Sequence, residues 1–250
     1  MLTWLTPVFA VTALIYASVG FAGGSTYTAL LVLAGVSYAA IPVISLLCNI
    51  IVATGGVARF GHAGAIPWRR VAPLLLLSVP AAWLGGSLPI DEGLFAVLLA
   101  TSLLTAGLLL LWPVREKRET EFSYRRSVPW VAIVTAAPLG LLAGIVGIGG
   151  GIFLAPVLHL IRWDQSRKIA GAAALFILVN SLAGLAGQAT KFTDAAMLSQ
   201  LIDWWPLALA VLVGGQLGSW AGVKALPARM IRIVTGAVVI IAAIRLLTVG

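Results

Sequence analysis

The sequence predicts an all-α polytopic membrane protein made of two inverted repeats, each holding three transmembrane helices plus one glycine-broken re-entrant hairpin. Three observations lead there. First, 61% of the 250 residues are hydrophobic and 10% are charged, with a mean hydropathy of +1.07. A soluble domain needs roughly 25% charged residues to stay hydrated. Second, long apolar stretches follow one another along the whole chain. Third, 14 of the 16 basic residues fall in four groups between those stretches. An ordinary soluble enzyme, a disordered chain and a fibrous protein are excluded by composition.

Crossing about 30 Å of hydrocarbon takes roughly 20 apolar residues. The first stretch, 4–34, exceeds one crossing and is interrupted by Gly20, Gly23 and Gly24. Clustered glycines break a helix, because each costs about 1 kcal/mol relative to alanine in a helix interior. The stretches 38–58, 70–88 and 93–112 read as simple crossings. A charged linker, 113–127, then separates a first repeat (1–112) from a second (128–250). The stretch 128–161 is again overlong and is broken by Gly147, Gly149, Gly150 and Gly151. Three more crossings, 166–188, 203–222 and 228–248, complete the chain. Met1-Leu2-Thr3-Trp4 lacks the positive n-region of a secretory signal peptide, so 1–20 is kept in the mature fold.

Residue correspondences support the division into halves. Gly20-Phe21-Ala22-Gly23-Gly24 aligns with Gly147-Ile148-Gly149-Gly150-Gly151, and Asn49 aligns with Asn180. Pro73 pairs with Pro206, and Gly85 with Gly218. Orientation follows from the basic groups: Arg59 with Arg69 and Arg70; Arg115 to Arg126; Arg162 with Arg167 and Lys168; Lys224 with Arg229 and Arg232. Eight simple spans would split these groups across the two faces. Two hairpins that enter and return place all four on one side, as the positive-inside rule prefers. That arrangement sets the halves upside down to each other, with both termini outside. The net charge of +8 is then the cytoplasmic basic excess rather than a nucleic-acid footprint. The single cysteine, Cys48, forms no intrachain disulfide.

The hairpin tips carry the candidate site. Non-helical backbone at membrane depth is tolerated only where protein buries it or it lines a cavity. A helical limb follows each glycine cluster, and its free N–H groups and positive dipole end favour a small anion. Gly23, Gly24, Ser25, Gly149, Gly150 and Gly151 are therefore the candidate backbone cradle, with Asn49 and Asn180 as side-chain partners. An amide in hydrocarbon either binds substrate or ties down loose hairpin backbone, and both roles stay open for these two. Thr26, Ser45, Thr54, Ser181, Gln188 and Gln216 are further polar candidates. The ladder Gly214, Gly218, Gly222 reads as tight helix packing. Trp4, Trp68, Trp130, Trp163, Trp204 and Trp205 fit an interfacial aromatic belt.

No catalytic triad signature, P-loop or metal-ligand spacing is present, so no enzyme, metal or cofactor is expected. Asp91, Glu92, Asp194 and Asp203 lie in loops or near span ends, so no buried carboxylate relay is visible.

The glycine-clustered repeats and basic linker resemble the sulfite exporter TauE/SafE family of bacterial membrane transporters over essentially the whole chain. The stretches that carry the likeness are Gly20 to Gly24 with Asn49 and, more strongly, the run from Gly144 through Gly147-Ile148-Gly149-Gly150-Gly151 to Pro156. The first repeat departs at Ala22 and Ala29, where the second has Gly149 and Pro156. The resemblance implies secondary transport of a sulfur-containing or organic anion, such as sulfite, sulfoacetate or another sulfonate, across the bacterial inner membrane. Export by alternating access is the expectation. A passive anion channel and a membrane assembly subunit without transport of its own are the alternatives. The partners implied are a small anionic substrate, the lipid bilayer and a coupling ion (proton or sodium), with no nucleic acid.

Overall fold

A computed structural model describes residues 2–18, 20–111, 130–161, 163–191 and 202–221, with a few isolated positions between 237 and 247. Among the described residues every regular element is a helix. In order these are α1 Leu2–Ser18, α2 Gly24–Leu33, α3 Ala40–His62, α4 Trp68–Ser87, α5 Glu92–Leu111, α6 Trp130–Val146, α7 Gly151–Leu160, α8 Ser166–Ala189 and α9 Trp205–Ala221. Both overlong stretches break at the glycine clusters, each into a helix of 17 residues followed by one of 10. The crossings expected at 38–58, 70–88, 93–112, 166–188 and 203–222 coincide with α3, α4, α5, α8 and α9. The linker 113–127 lies outside the described residues, as does nearly all of the last crossing, 228–248.

In hydrocarbon each backbone N–H and C=O must be satisfied within its own segment, so apolar runs of this length become helices even with proline inside. Pro7, Pro73, Pro80, Pro138 and Pro156 all sit within helices here. Four helices, α3, α4, α5 and α8, are long and apolar enough to cross a bilayer. At 1.5 Å per residue the 23 residues of α3 extend about 35 Å. Large apolar side chains project outward, among them Leu76, Trp130 and Trp220 at 76%, 73% and 85% exposure. A face this apolar suits lipid rather than water.

α3 and α8 pack against each other at the centre, α4 lies against α6 and α8, and α1 lies against α9. One core cluster joins α1, α2, α3 and α9 around Phe9, Tyr27 and Leu207, while another joins α4, α6, α7 and α8 around Leu74, Leu154 and Phe176. Small residues let the backbones meet. A Cβ at Gly214 would overlap the Ala10 carbonyl oxygen and one at Gly218 that of Leu14, so this part of the ladder packs α9 on α1. A Cβ at Gly85 would likewise overlap the Leu141 carbonyl, at the α4–α6 contact. Of the expected aromatic belt, Trp4, Trp68, Trp130 and Trp205 are exposed. Trp163 is a correction: it is 2% exposed, because Arg70 covers its ring at 4.4 Å.

Candidate functional site

At each break the chain doubles back. Gly23 caps α2 in the left-handed region (φ 92) and Gly150 caps α7 there (φ 73), a conformation glycine adopts without strain. A Cβ on Gly23 would stand 3.2 Å from Thr12 Cγ2, in the middle of α1. The ring of Tyr27 in α2 stacks on Phe9 of α1 at 4.8 Å. So α2 begins beside the midpoint of α1 and runs back along it. At the second break α7 likewise begins beside the middle of α6, since a Cβ on Gly150 would stand 3.2 Å from the Leu139 carbonyl oxygen and 3.5 Å from Ala143 Cβ in α6.

Neither α2 nor α7 has a side-chain cap. Thr26 and Tyr27 donate to the Gly23 carbonyl, and Phe153 and Leu154 to that of Gly150. Among the described residues no acceptor meets the N–H groups of Gly24, Ser25, Gly151 or Ile152. Unsatisfied first-turn donors together with the positive dipole end are what an anion binds.

The two tips meet on α3. Ser45 Oγ lies 2.9 Å from the Gly147 carbonyl and 3.2 Å from that of Gly24. Thr28 Oγ1 donates to the Gly24 carbonyl at 2.8 Å, and Asn49 Nδ2 donates to Gly147 at 3.2 Å. Of the two roles open for Asn49, tying down backbone at a glycine break is the one whose contact is present. Its Oδ1 has no partner. Asn49 also stands between the clusters, since its Nδ2 would lie 2.5 Å from a Cβ on Gly24 and 3.0 Å from one on Gly149. Asn180 does not bridge the tips: its Nδ2 donates to Phe176 within α8 at 2.8 Å, leaving Oδ1 unpartnered.

A small cavity of about 10 Å³ lies between the tips, lined by Tyr16, Phe21, Ala22, Gly23, Gly24, Ser25, Ile148, Ile152 and Ile177. That volume is the room one water needs. Gly23, Gly24 and Ser25 reach it. Gly149 faces Asn49 and Ser181, Gly151 abuts Ile177, and Gly150 turns away toward Phe176 and α6. Ser25 is 1% exposed and its hydroxyl has no partner. Sequence reasoning missed Thr28, which clamps Gly24, and Tyr16, which lines the cavity and whose hydroxyl pairs with Thr26 at 2.9 Å. The uninterrupted hydroxyl run Ser25-Thr26-Tyr27-Thr28 in an apolar stretch was the available signal. Cys48 is buried and lines no part of the cavity.

Residues 5–246 match the sulfite exporter TauE/SafE family. The chain belongs to that family. It is 32% identical over 240 residues to a "Probable membrane transporter protein y4hK" from Sinorhizobium fredii (strain NBRC 101917 / NGR234), covering 96% of this chain and 95% of that one. No solved structure matches the chain. As a TauE/SafE member with several spanning helices, it is a multi-pass membrane transporter of the bacterial inner membrane, moving a small substrate across a lipid bilayer.

Proposed function

We propose that this TauE/SafE member is a secondary transporter that exports a small sulfur-containing or organic anion by alternating access between two inverted repeats. The observation that carries the reading is the convergence of two uncapped helix N-termini on one small cavity, with Ser25 of its lining carrying an unpartnered hydroxyl. Gly23, Gly24 and Ser25 hold the anion directly. Gly149, Gly150 and Gly151 shape the opposing tip, Asn49 braces the two tips, and Asn180 serves from α8.

Two features support the repeat. The helices α1, α2 and α3 have 17, 10 and 23 residues, and α6, α7 and α8 have 17, 10 and 24. Close packing also exchanges between halves, Gly85 of the first meeting Leu141 of the second and Gly218 of the second meeting Leu14 of the first. Depth supports re-entry. Thr12 lies ten residues beyond Leu2, or about 15 Å along α1, which is half of a bilayer's hydrocarbon. The ten residues of α2 return about 15 Å to the entry face. A cavity with room for about one water argues for a site that must widen to take an anion, rather than for a continuous pore.

Flux of sulfite, sulfoacetate, thiosulfate, sulfate and acetate into proteoliposomes tests the function. Saturable flux of one sulfur oxyanion, lost in Gly150→Leu, is expected, because a side chain there needs a positive φ and strikes Phe176. No flux under any imposed gradient sinks the transporter reading. Topology is tested separately in a Cys48→Ala background. Single cysteines placed at Ala63 and at Gln165 are expected to label from the cytoplasmic face, and one at Leu2 from outside. Cytoplasmic labelling at Leu2 refutes the hairpins.

A further inference from the structure

We propose that the cavity between the hairpin tips takes singly charged oxyanions and excludes dianions, so that an oxyanion with a second ionisation near neutrality crosses as its protonated form. The proposal rests on the anion-site reading above and adds the charge state of the cargo.

Among the described residues, every group that can stabilise charge there is neutral. The lining donors without an acceptor are the N–H groups of Gly24 and Ser25, the Ser25 hydroxyl, and the N–H of Ile152 at the facing tip. Ser25 Oγ is buried, unpartnered and part of the lining, so the site offers more than a bare helix end. The remaining walls are mostly apolar, from Phe21, Ala22, Ile148, Ile152 and Ile177. No charged side chain lines the cavity among the described residues. Their cations stand at helix ends: Arg59 in the last turn of α3, Arg69 and Arg70 at the start of α4, Arg167 and Lys168 at the start of α8, and Lys191 just past α8.

Charge arithmetic then decides. The cost of removing an ion from water grows with the square of its charge, so a dianion pays about four times what a monoanion of the same size does. Stabilisation by fixed neutral dipoles grows only in proportion to the charge, about twofold. Without a paired cation a buried double charge is therefore left uncompensated. Adding one proton to a dianion restores the balance and also gives the ligand a donor of its own. Each turnover then moves one negative charge and one proton on the same particle. No protein carboxylate relay is needed, in keeping with the lack of any at this site.

The experiment compares two anions in proteoliposomes at equal pH on both sides, with total anion fixed. Sulfite changes from monoanion to dianion across the range, while methanesulfonate stays a monoanion throughout. Sulfite flux is expected to fall about tenfold for each pH unit above its second ionisation, with methanesulfonate flux flat. Ser25→Ala is expected to lower both fluxes by a similar factor without moving the sulfite profile. Sulfite flux that holds or rises with pH, beside flat methanesulfonate flux, overturns the monoanion rule and leaves the anion site standing. Unchanged flux in Ser25→Ala overturns its placement at this cradle. Absence of flux for both anions at every pH overturns the transporter reading itself.

Discussion

Alanine at position 24 is expected to cut anion flux roughly tenfold or more and to lower the unfolding free energy by about 1–3 kcal/mol. Local preference points the other way. Gly24 opens α2 with an ordinary φ, and alanine favours a helix over glycine by about 1 kcal/mol. The loss must therefore come from crowding across the two tips. A Cβ at this position would stand 2.5 Å from Asn49 Nδ2 and 2.5 Å from the Ile148 carbonyl oxygen. Asn49 cannot swing aside without releasing Gly147, and a backbone carbonyl cannot rotate away alone. The second tip has to retreat, which separates Ile152 from Gly24 and Ser25 across the cavity. Gly56→Ala is the matched control, because its Cβ would meet only Ala174 Cβ at an ordinary 3.6 Å. Flux and thermal unfolding measured together on both variants check this. Wild-type flux in Gly24→Ala means that the close approach of the tips has no part in transport.

The spans and their breaks were legible because both are written in one dimension. Apolar length sets the crossings, and local glycine density sets the breaks, so the glycine clusters mark the ends of α2 and α7 to within a residue or two. The proposed backbone cradle rests on the same clusters. What could not be read was which residue meets which across the fold. Asn49 and Asn180 occupy matching sequence positions, yet only Asn49 crosses to the other tip. The difference lies one turn earlier, where Ser45 offers a hydroxyl between the tips and its counterpart Phe176 fills the space with a ring. Gly150 shares its cluster with Gly149 and Gly151 but faces α6, a matter of one residue's rotation about the chain. The buried charge at Asp164 is not legible in the sequence for a related reason. Nothing near it in sequence announces that Arg70, 94 residues away, will cover it.

Asp164→Asn is expected to destabilise the protein by about 3–5 kcal/mol, the usual cost of removing one partner from a buried ion pair. Asp164 sits in the short α7–α8 connection, its side chain 5% exposed, and accepts from Arg70 Nη1 at the start of α4. Arg70 uses its other terminal nitrogen on the Trp163 carbonyl at 2.6 Å and lays its guanidinium over the Trp163 ring. Lys168 Nζ stands 3.6 Å from the second carboxylate oxygen, which also accepts the Gln165 N–H at 2.8 Å. This cluster pins the C-terminal end of α7 to the start of α4. Asparagine keeps the shape and the Gln165 contact but leaves the Arg70 charge uncompensated in a site where it is 17% exposed. Arg70→Lys is expected to cost less, about 1–3 kcal/mol, since an ammonium keeps the charge while losing the forked donors and the ring stacking. Combining Asp164→Leu with Arg70→Met is expected to recover part of the loss, because the double change removes both charges together. Denaturation midpoints in detergent, followed by tryptophan fluorescence, measure all three. An Asp164→Asn protein within about 0.5 kcal/mol of wild type, or separate Asp164→Leu and Arg70→Met losses that add up to the loss in the double change, contradicts a coupled pair and leaves the α7–α8 connection held by backbone contacts and apolar packing around Trp163.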